Sequence, residues 1–385
     1  MLSKIRPLIP VTSHVARLSG VASNMQFSKR PYLNIEDFSF NEDTRIFTTW
    51  NRHNLWLADH SNGKKFVLKE MNGDAIWRQA RESGASMNSF GSPEEEDKFR
   101  AETEAFLSAF MRKLAPEHSP KSVEVVFGVD DEGQKKYYVA SEFQENYLDF
   151  NSLDIKDKKR FFVGEKGETR LLLSTDPDKS IAIYGRIATK LALNATREWD
   201  DNPENIGVIC NPAEVSNENN PDKRYPVFSI DHEISEDLIK RPKTSHEIFG
   251  MAKKVASGKG FSVYSFMDLN HLQIAAREDV RMESVKHTSN VFREQYLSPD
   301  IFMERLSRDY SPEYQQKIYN IGINLQERGA VFAAANTLIQ NNWDGSEEHS
   351  HKIFQDKYGG KYLRLSHYNI WNIESGKQTA ISGRA

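Results

Sequence analysis

The chain of 385 residues is 38% hydrophobic and 28% charged, a globular balance at a length that allows a two-lobed domain and a smaller module. A formal net charge of −4 gives no general attraction to nucleic acid, so no nucleic-acid partner is expected. The single cysteine, Cys210, excludes an internal disulfide and a cysteine-based zinc site, and it fits a reducing, intracellular setting. No apolar run approaches the roughly 20 residues that span a bilayer.

The N-terminal segment, residues 1–33, is predicted to be a basic and flexible tail. The first 35 residues contain no acid, and five of them are lysine or arginine. Chain termini of this kind are seldom ordered, which favours a tail. Organelle transit peptides share the same bias, so a targeting signal is the alternative.

Residues 34–145 are predicted to form the first lobe, a small antiparallel sheet with one helix. Short apolar runs separated by turn residues predict five strands, at 45–50, 55–58, 66–69, 123–129 and 137–143. A helix is predicted from Glu94, where acids suit the helix dipole, to the residue before Pro116. The resulting order is three strands, a helix and two strands.

The rest of the chain has a mainly helical pattern. Residues 146–290 are predicted to be a second, mostly helical lobe. Residues 291–385 are predicted to be a helical C-terminal region, with a separate binding module as the alternative. Helices are predicted at 181–199, 269–280 and 312–340.

Two polar motifs in the second lobe carry the chemistry. Asp200 and Asn205 lie in a Trp-Asp-Asp-Asn-Pro-Glu-Asn segment between a helical pattern and an apolar run, and Asp231 ends another apolar run. In the first lobe, Lys69 lies on the third predicted strand and Glu102 lies in the helix that follows. Since these residues come from separate elements, only a folded domain would bring them together.

This ordered series resembles the protein-kinase-like superfamily, from about residue 45 to about residue 240. Asp200 and Asn205 have the Asp-x-x-x-x-Asn spacing of the family's catalytic loop, and Asp231 stands where its Asp-Phe-Gly motif begins. Lys69 and Glu102 match the family's phosphate-binding lysine and its acidic partner. The resemblance implies an α+β, bilobal protein-kinase-like fold, with a small antiparallel-sheet N-lobe and a mostly helical C-lobe.

The resemblance also implies cofactors and residue roles. ATP and Mg²⁺, or Mn²⁺ in its place, are the expected cofactors, with Asn205 and Asp231 as oxygen ligands of the metal. Lys69, held by Glu102, would bind the non-transferred phosphates. Asp200 would orient the attacking hydroxyl.

Three alternatives stay open among these residues. Glu104 lies in the same helical turn as Glu102 and could replace it as the partner of the lysine. Asp201 could replace Asp200 as the catalytic acid, although the five-residue spacing favours Asp200. Glu233 could add a metal ligand.

Departures from the family's pattern point to its atypical branches. The first lobe has no Gly-x-Gly-x-x-Gly loop, and Arg52, in the first turn, is the candidate phosphate contact in its place. Trp199 stands before Asp200 where His-Arg is usual, and His232 follows Asp231 where Phe is usual. The chain is therefore more similar to phosphoinositide kinases, HipA-like kinases and bacterial effector kinases.

A basic cluster in the second lobe is a candidate polyanion site. Its members are Lys156, Lys158, Lys159 and Arg160. An inositol polyphosphate activator or the headgroup of a membrane lipid would suit this charge. A solvated charged surface is the alternative, because acids nearby dilute the positive potential.

The expected function is ATP-dependent phosphotransfer to a hydroxyl, with a protein as the substrate. A phosphoinositide kinase, an enzyme that transfers AMP, and a pseudokinase or lipid-binding scaffold are the alternatives. An intracellular location is expected. Secretion into a host cell as a bacterial effector and attachment to a membrane surface are the alternatives for location.

Overall fold

The computed structural model of the protein describes one unit of the chain, within Tyr32–Ala385. The residues described are 32–46, 54–72, 92–153, 161–164, 169–172, 180–196, 205–211, 223–232, 244–258, 278–295, 299, 302, 304, 306, 310–374 and 376. Predictions that fall at other positions are named below as lying outside this part of the chain.

The N-terminal part is built on a seven-stranded sheet. Its strands are β1 (Leu33–Asn34), β2 (Phe38–Ser39), β3 (Arg45–Ile46), β4 (Leu55–His60), β5 (Lys65–Glu70), β6 (Val123–Val129) and β7 (Lys135–Glu142). Their order is β1-β6-β7-β5-β4-β2, with β3 also paired to β4, and only the β1–β6 pair is parallel. The five predicted strands correspond to β3–β7, although residues 47–50 of the first lie outside the described part of the chain. Strands β1 and β2 are not predicted, and β1 lies partly within the segment predicted as a tail.

Alternating side chains cover both faces of this sheet. One face buries a core of Phe38, Ala58, Phe66, Leu68, Val126 and Ala140. On the opposite face, Tyr137 and Val139 pack against Ala101 of the following helix. Because cross-strand partners point to the same side, Lys69, which pairs with Val139, also points to this second face.

Helix α1 (Pro93–Leu114) covers the second face. Ser92 caps it by accepting a hydrogen bond from the Glu95 amide at 3.1 Å, and the acidic first turn complements the helix dipole. Its phenylalanines pack edge to face on aromatic rings from the C-terminal part, in the pairs Phe99 with Tyr314, Phe106 with Phe302 and Phe110 with Phe292. The predicted helix is confirmed.

A second sheet, of six strands, is predicted by the sequence patterns only at the apolar strand before Asp231. Its strands are β8 (Tyr147–Asp149), β9 (Phe161–Val163), β10 (Thr169–Leu172), β11 (Ser180–Tyr184), β12 (Ile206–Ile209) and β13 (Arg224–Ser229), in the order β8-β12-β13-β11-β10-β9. The helix predicted over 181–199 is wrong in its first part, where β11 stands. Gly185, with a φ of 80°, turns the chain between β11 and helix α2 (Arg186–Thr196).

The C-terminal part is helical. Its helices are α3 (Ser245–Ser257), α4 (Glu278–Gln295), α5 (Pro312–Gln340), α6 (Glu347–Tyr358) and α7 (His367–Glu374), and α5 packs against α3, α4 and α7. The predicted helix at 312–340 is confirmed, whereas residues 269–277 of another prediction lie outside the described residues. The fold is α+β, as predicted, with a sheet-rich N-terminal part and a helical C-terminal part. No helix in the described ranges has the length and apolarity needed to cross a bilayer.

Candidate active site

Three charged side chains from distant parts of the chain meet at Lys69. Its Nζ atom lies 2.9 Å from a carboxylate oxygen of Glu104 and 2.5 Å from one of Asp231. The side chains of Lys69 and Glu104 are 8% and 6% exposed, whereas that of Asp231 is 35% exposed. The ammonium group is therefore held between two carboxylates, one enclosed and one open to solvent.

The register of the first sheet explains why Lys69 reaches α1. Lys69 and Val139 are partners on neighbouring strands, and Val139 packs against Ala101 of α1. Glu104 comes three residues after Ala101, and residues at this spacing lie on the same side of a helix. The strand and the helix therefore direct the lysine and the glutamate into the same space.

Glu102, the predicted partner of Lys69, faces the other way, so that prediction is wrong. Successive helical residues are rotated by about 100°, so positions 102 and 104 point to nearly opposite sides of α1. The Glu102 carboxylate accepts hydrogen bonds from the hydroxyl of Tyr32 and, at 2.7 Å, from the hydroxyl of Tyr310. Glu104, the alternative that the sequence left open, makes the contact with Lys69.

Asp231 follows β13 in an uncommon backbone conformation. Its φ angle is 58°, in the left-handed region, which aspartate tolerates better than most residues. The chain before it is fixed by two hydrogen bonds. The Ser229 amide donates to the His118 carbonyl at 2.9 Å, and the Ile230 amide donates to the Asn205 carbonyl at 2.8 Å. These bonds set the point at which Asp231 leaves the strand.

Strands β12 and β13 bring Asn205 close to Asp231. They are antiparallel neighbours, so the chain enters β12 at the end where it leaves β13. Asn205 therefore lies opposite Ile230, which is next in sequence to Asp231. The structure thus brings Lys69, Asn205 and Asp231, three of the predicted site residues, into one neighbourhood.

The other predicted site residues lie outside the described part of the chain. They are Arg52, Asp200, Asp201, Glu233 and the basic cluster of Lys156, Lys158, Lys159 and Arg160. Five residues of fully extended chain span at most about 18 Å, so the position of Asn205 limits how far Asp200 can lie from it. The roles of all these residues remain predictions.

Desolvation changes the proton affinity of two residues around Asp231. His232, the next residue, is 2% exposed, and burial lowers its pKa to about 4 although the Asp231 carboxylate opposes this shift. Desolvation of the Tyr147 hydroxyl raises its pKa, and the charges of Asp149 and Asp231 raise it further. Both side chains are therefore neutral near pH 7, and Lys69 supplies the positive charge beside Asp231.

His118, which no sequence pattern singles out, connects the end of α1 to β13. Its ring Nδ1 lies 2.7 Å from the Val227 carbonyl, and its own carbonyl accepts the Ser229 amide. Burial lowers the pKa of His118, and this outweighs the opposing effects of the Val227 carbonyl and Glu117. A neutral ring that donates from Nδ1 fits this contact. The helix that carries Glu104 is thereby connected to the strand that precedes Asp231.

The oxygen donors around Asp231 suit a hard divalent cation that is shared with phosphate. Asp231 has a carboxylate that is partly open to solvent, and Asn205, whose side chain offers an amide oxygen, is bonded through its backbone carbonyl to the residue before Asp231. Mg²⁺ commonly uses one or two protein oxygens and takes its other ligands from water and phosphate. Within the ranges described, no group of three or more His, Cys, Asp or Glu side chains is placed to hold a metal by protein ligands alone.

Comparison with known proteins gives little further information. No family model matches the chain, and no curated protein matches it. Among solved structures, the MAP kinase LmaMPK10 from Leishmania major is similar over 88% of this chain and 83% of that chain, at 10% identity and a TM-score of 0.24. A TM-score this low supports no argument about function, so the proposal below rests on the geometry of the site.

Proposed function

We propose that the protein is a kinase that uses ATP and Mg²⁺ to phosphorylate a hydroxyl group on a protein substrate. The observation that carries the proposal is the contact of Lys69 with both Glu104 and Asp231. Phosphoryl transfer needs a positioned cation on the donor phosphates and a carboxylate that can hold the metal. The resemblance of the motifs to an atypical protein-kinase-like branch supports the same reading.

The residues on the donor side have separate roles in the proposed reaction. Lys69 binds the non-transferred phosphates, and Glu104 holds the lysine side chain in place. Asp231 and Asn205 would hold Mg²⁺, which neutralises phosphate charge when it is bound. His232 stays neutral, so it adds no positive charge that would compete for the Asp231 carboxylate.

The acceptor side of the proposed reaction depends on Asp200, or on its neighbour Asp201. The acceptor oxygen forms a bond to the γ-phosphorus while the bond from that phosphorus to the β–γ bridging oxygen breaks, and ADP leaves. The acidic side chain orients the hydroxyl and accepts its proton as the new bond forms.

Lys69→Met, compared with Lys65→Met, tests the proposal. Both lysines lie on β5, but Lys65 is exposed and pairs with Asp59 at 3.8 Å on the surface. We expect Lys69→Met to lower the transfer of labelled phosphate from ATP by roughly a hundredfold or more, and Lys65→Met to leave it unchanged. Thermal unfolding of the wild type should shift upward with ATP only when Mg²⁺ is added.

Two results would overturn the proposal. One is a wild-type chain that shows neither phosphate transfer nor stabilisation by ATP with Mg²⁺. The other is a Lys69→Met chain that transfers phosphate at the wild-type rate.

The choice of acceptor is decided in the same assay. Labelled product on protein mixtures supports the proposed substrate class, and labelled product on phosphoinositide vesicles indicates a lipid kinase instead. The mass added to the product distinguishes a phosphoryl group from the heavier AMP. Addition of inositol hexakisphosphate tests the basic cluster, because an activator that binds there should lose its effect when Lys158 and Lys159 are replaced by Gln.

A further inference from the structure

The start of helix α5 contacts α1 at Glu95 and Glu102, on the side opposite Glu104, and at Glu96, which lies about 80° around the helix from Glu104 and roughly two turns before it. Three hydrogen bonds join the two segments, from the Tyr310 hydroxyl to Glu102 (2.7 Å), from the Tyr314 hydroxyl to Glu96, and from the Ser311 amide to Glu95. The partners are at least 208 residues apart in the sequence. The C-terminal helical part of the chain therefore reaches back to the helix that carries Glu104.

The two tyrosine–glutamate contacts are closed to solvent. Glu102 and Tyr310 are 8% and 5% exposed, and Glu96 and Tyr314 are 3% and 0% exposed. Burial and the Glu102 charge raise the pKa of Tyr310, so its hydroxyl remains a proton donor. Two cations also contact Glu96. Arg100, on α1 itself, donates to it at 2.6 Å, and Lys317 has Nζ 3.7 Å from Glu96 and 4.1 Å from the centre of the Tyr314 ring.

Buried carboxylates of this kind specify one position of α1. If α1 rotated or slid along its axis, Glu102 would be left buried without the hydroxyls of Tyr32 and Tyr310, which costs more than the loss of an apolar contact. Glu96 would lose Tyr314 but keep Arg100, which lies on the same helix. Glu102 and Glu104 point to nearly opposite sides of the helix. The rotation that satisfies Tyr310 on one side is therefore the rotation that presents Glu104 to Lys69 on the other.

We propose that Tyr310 and Tyr314 are positioning residues for the Lys69–Glu104 ion pair. They act through the orientation of α1, by fixing Glu102 and Glu96. Their effect on catalysis rests on the function proposed above, whereas their effect on the ion pair is a property of the chain alone. The C-terminal helical part would thus determine whether the donor side of the site is correctly assembled.

The double variant Tyr310→Phe/Tyr314→Phe tests the positioning in the full chain without nucleotide. It removes both hydroxyls and keeps both rings. Tyr358→Phe is the matched control, because Tyr358 is also a buried tyrosine that donates to a glutamate, Glu374 of α7. The readouts are the acetylation rate of Lys69, measured by mass spectrometry of peptides, and amide hydrogen exchange over residues 93–114.

We expect the acetylation rate of Lys69 and the exchange rate of the α1 amides to rise about tenfold in the double variant. The reason is that a hydrogen bond to a charged group changes an equilibrium constant by at least about that factor. Both rates should stay unchanged in Tyr358→Phe. Single Tyr310→Phe and Tyr314→Phe variants should give smaller increases, which keeps the test valid if the double variant folds poorly. If the double variant and both single variants all kept the wild-type rates, the positioning role of Tyr310 and Tyr314 would be overturned.

The kinetic arm separates this inference from the proposed function. If the wild type is active, the double variant should have a kcat/KM for ATP about tenfold lower and an unchanged KM for the acceptor. The control, Tyr358→Phe, should keep the wild-type kcat/KM for ATP. A wild type that transfers no phosphate would defeat the proposed function, but the labelling rates would still decide the positioning. An active wild type with unchanged kcat/KM in the double variant would overturn the catalytic part of this inference.

Discussion

Helix α1 carries buried carboxylates on two opposite sides, and they meet different partners. Toward β5, Glu104 meets the Lys69 ammonium, which also reaches the partly exposed Asp231. On the opposite side, Glu102 meets the hydroxyls of Tyr32, beside β1, and Tyr310, before α5, and it is buried. A lysine next to a solvent-exposed carboxylate can contact a ligand, whereas buried tyrosine hydroxyls can only fix the position of the helix. The difference teaches that the kind of partner, rather than burial alone, distinguishes a reactive acid from a structural one.

Phosphate transfer should depend more on the charges beside Lys69 than on those beside Tyr310. The largest effect is expected for Asp231→Asn. Asparagine tolerates the left-handed conformation and can still hydrogen-bond, but it removes the carboxylate proposed to hold Mg²⁺. We expect phosphate transfer from labelled ATP to fall roughly a hundredfold to a thousandfold, with little change in the urea midpoint of unfolding. Asp59→Asn, at an exposed position of β4, is the control. Near-normal transfer by Asp231→Asn would remove Asp231 from the reaction.

Gly185→Ala tests the contact of His118 with Val227, which connects the end of α1 to β13. A Cβ atom on Gly185 would lie 1.8 Å from the His118 ring, at a φ of 80°. We expect the free energy of unfolding in urea to fall by about 2 to 4 kcal/mol, because His118 must move away from Val227. Gly133→Ala is the control, since Gly133 has a φ of 79° and open space around it, and should cost about 1 kcal/mol. Equal losses in the two variants would show that only the backbone conformation matters.

The two sides of α1 are compared directly by Glu104→Gln and Tyr310→Phe. Glu104→Gln removes the charge that holds Lys69, so kcat/KM for ATP should fall about tenfold or more. Tyr310→Phe should lower it about threefold and lower the free energy of unfolding by about 1 kcal/mol, because one of two donors to Glu102 is lost. If Tyr310→Phe reduced activity more than Glu104→Gln, the assignment of chemistry to one side and position to the other would be wrong.

The smallest expected effect is a pH dependence of stability from His232. The unfolded chain, in which this histidine has its ordinary pKa near 6.5, binds the proton before the folded chain, in which burial lowers the pKa to about 4. The contribution of neutral His232 to the free energy of unfolding is therefore fully present above about pH 6.5 and is lost as the pH falls toward 4. Between pH 7 and pH 5.5 the loss should be about 1 kcal/mol in urea unfolding.

His232→Asn should flatten this dependence without abolishing it. Burial also lowers the pKa of His118, so that residue contributes in the same direction and remains in the variant. An unchanged slope between the two pH values in His232→Asn would show that His232 is not the titrating group.

Strands β3–β7 and α1 could be predicted from the sequence because their signals are local, whereas β1 and β2, at two residues each, are too short to leave a pattern. Turn residues separate the strands, and a capping serine with acids begins the helix that ends before Pro116. Of the second sheet, only the strand before Asp231 could be predicted, because the other strands are short and are separated by long polar segments. The apolar run at the start of 181–199 fits a buried strand as well as a helix, and only the tertiary structure selects the strand.

The candidate site could be predicted only in part. Lys69, Asn205 and Asp231 follow from motif spacing and element order, and the structure brings them together. The choice between Glu102 and Glu104 depends on the rotation of α1, which long-range contacts set. His118 could not be found, because its function depends on a contact with Val227, which is 109 residues away.

Strand β1 has a practical consequence for any shortened version of the chain. It is parallel to β6 at the edge of the first sheet, and Tyr32 beside it donates to Glu102. An expression clone that starts at residue 35 would leave the backbone of β6 unpaired at that edge and invite strand pairing between molecules. It would also remove one of the two donors to Glu102, so affinity tags and protease sites belong before residue 32.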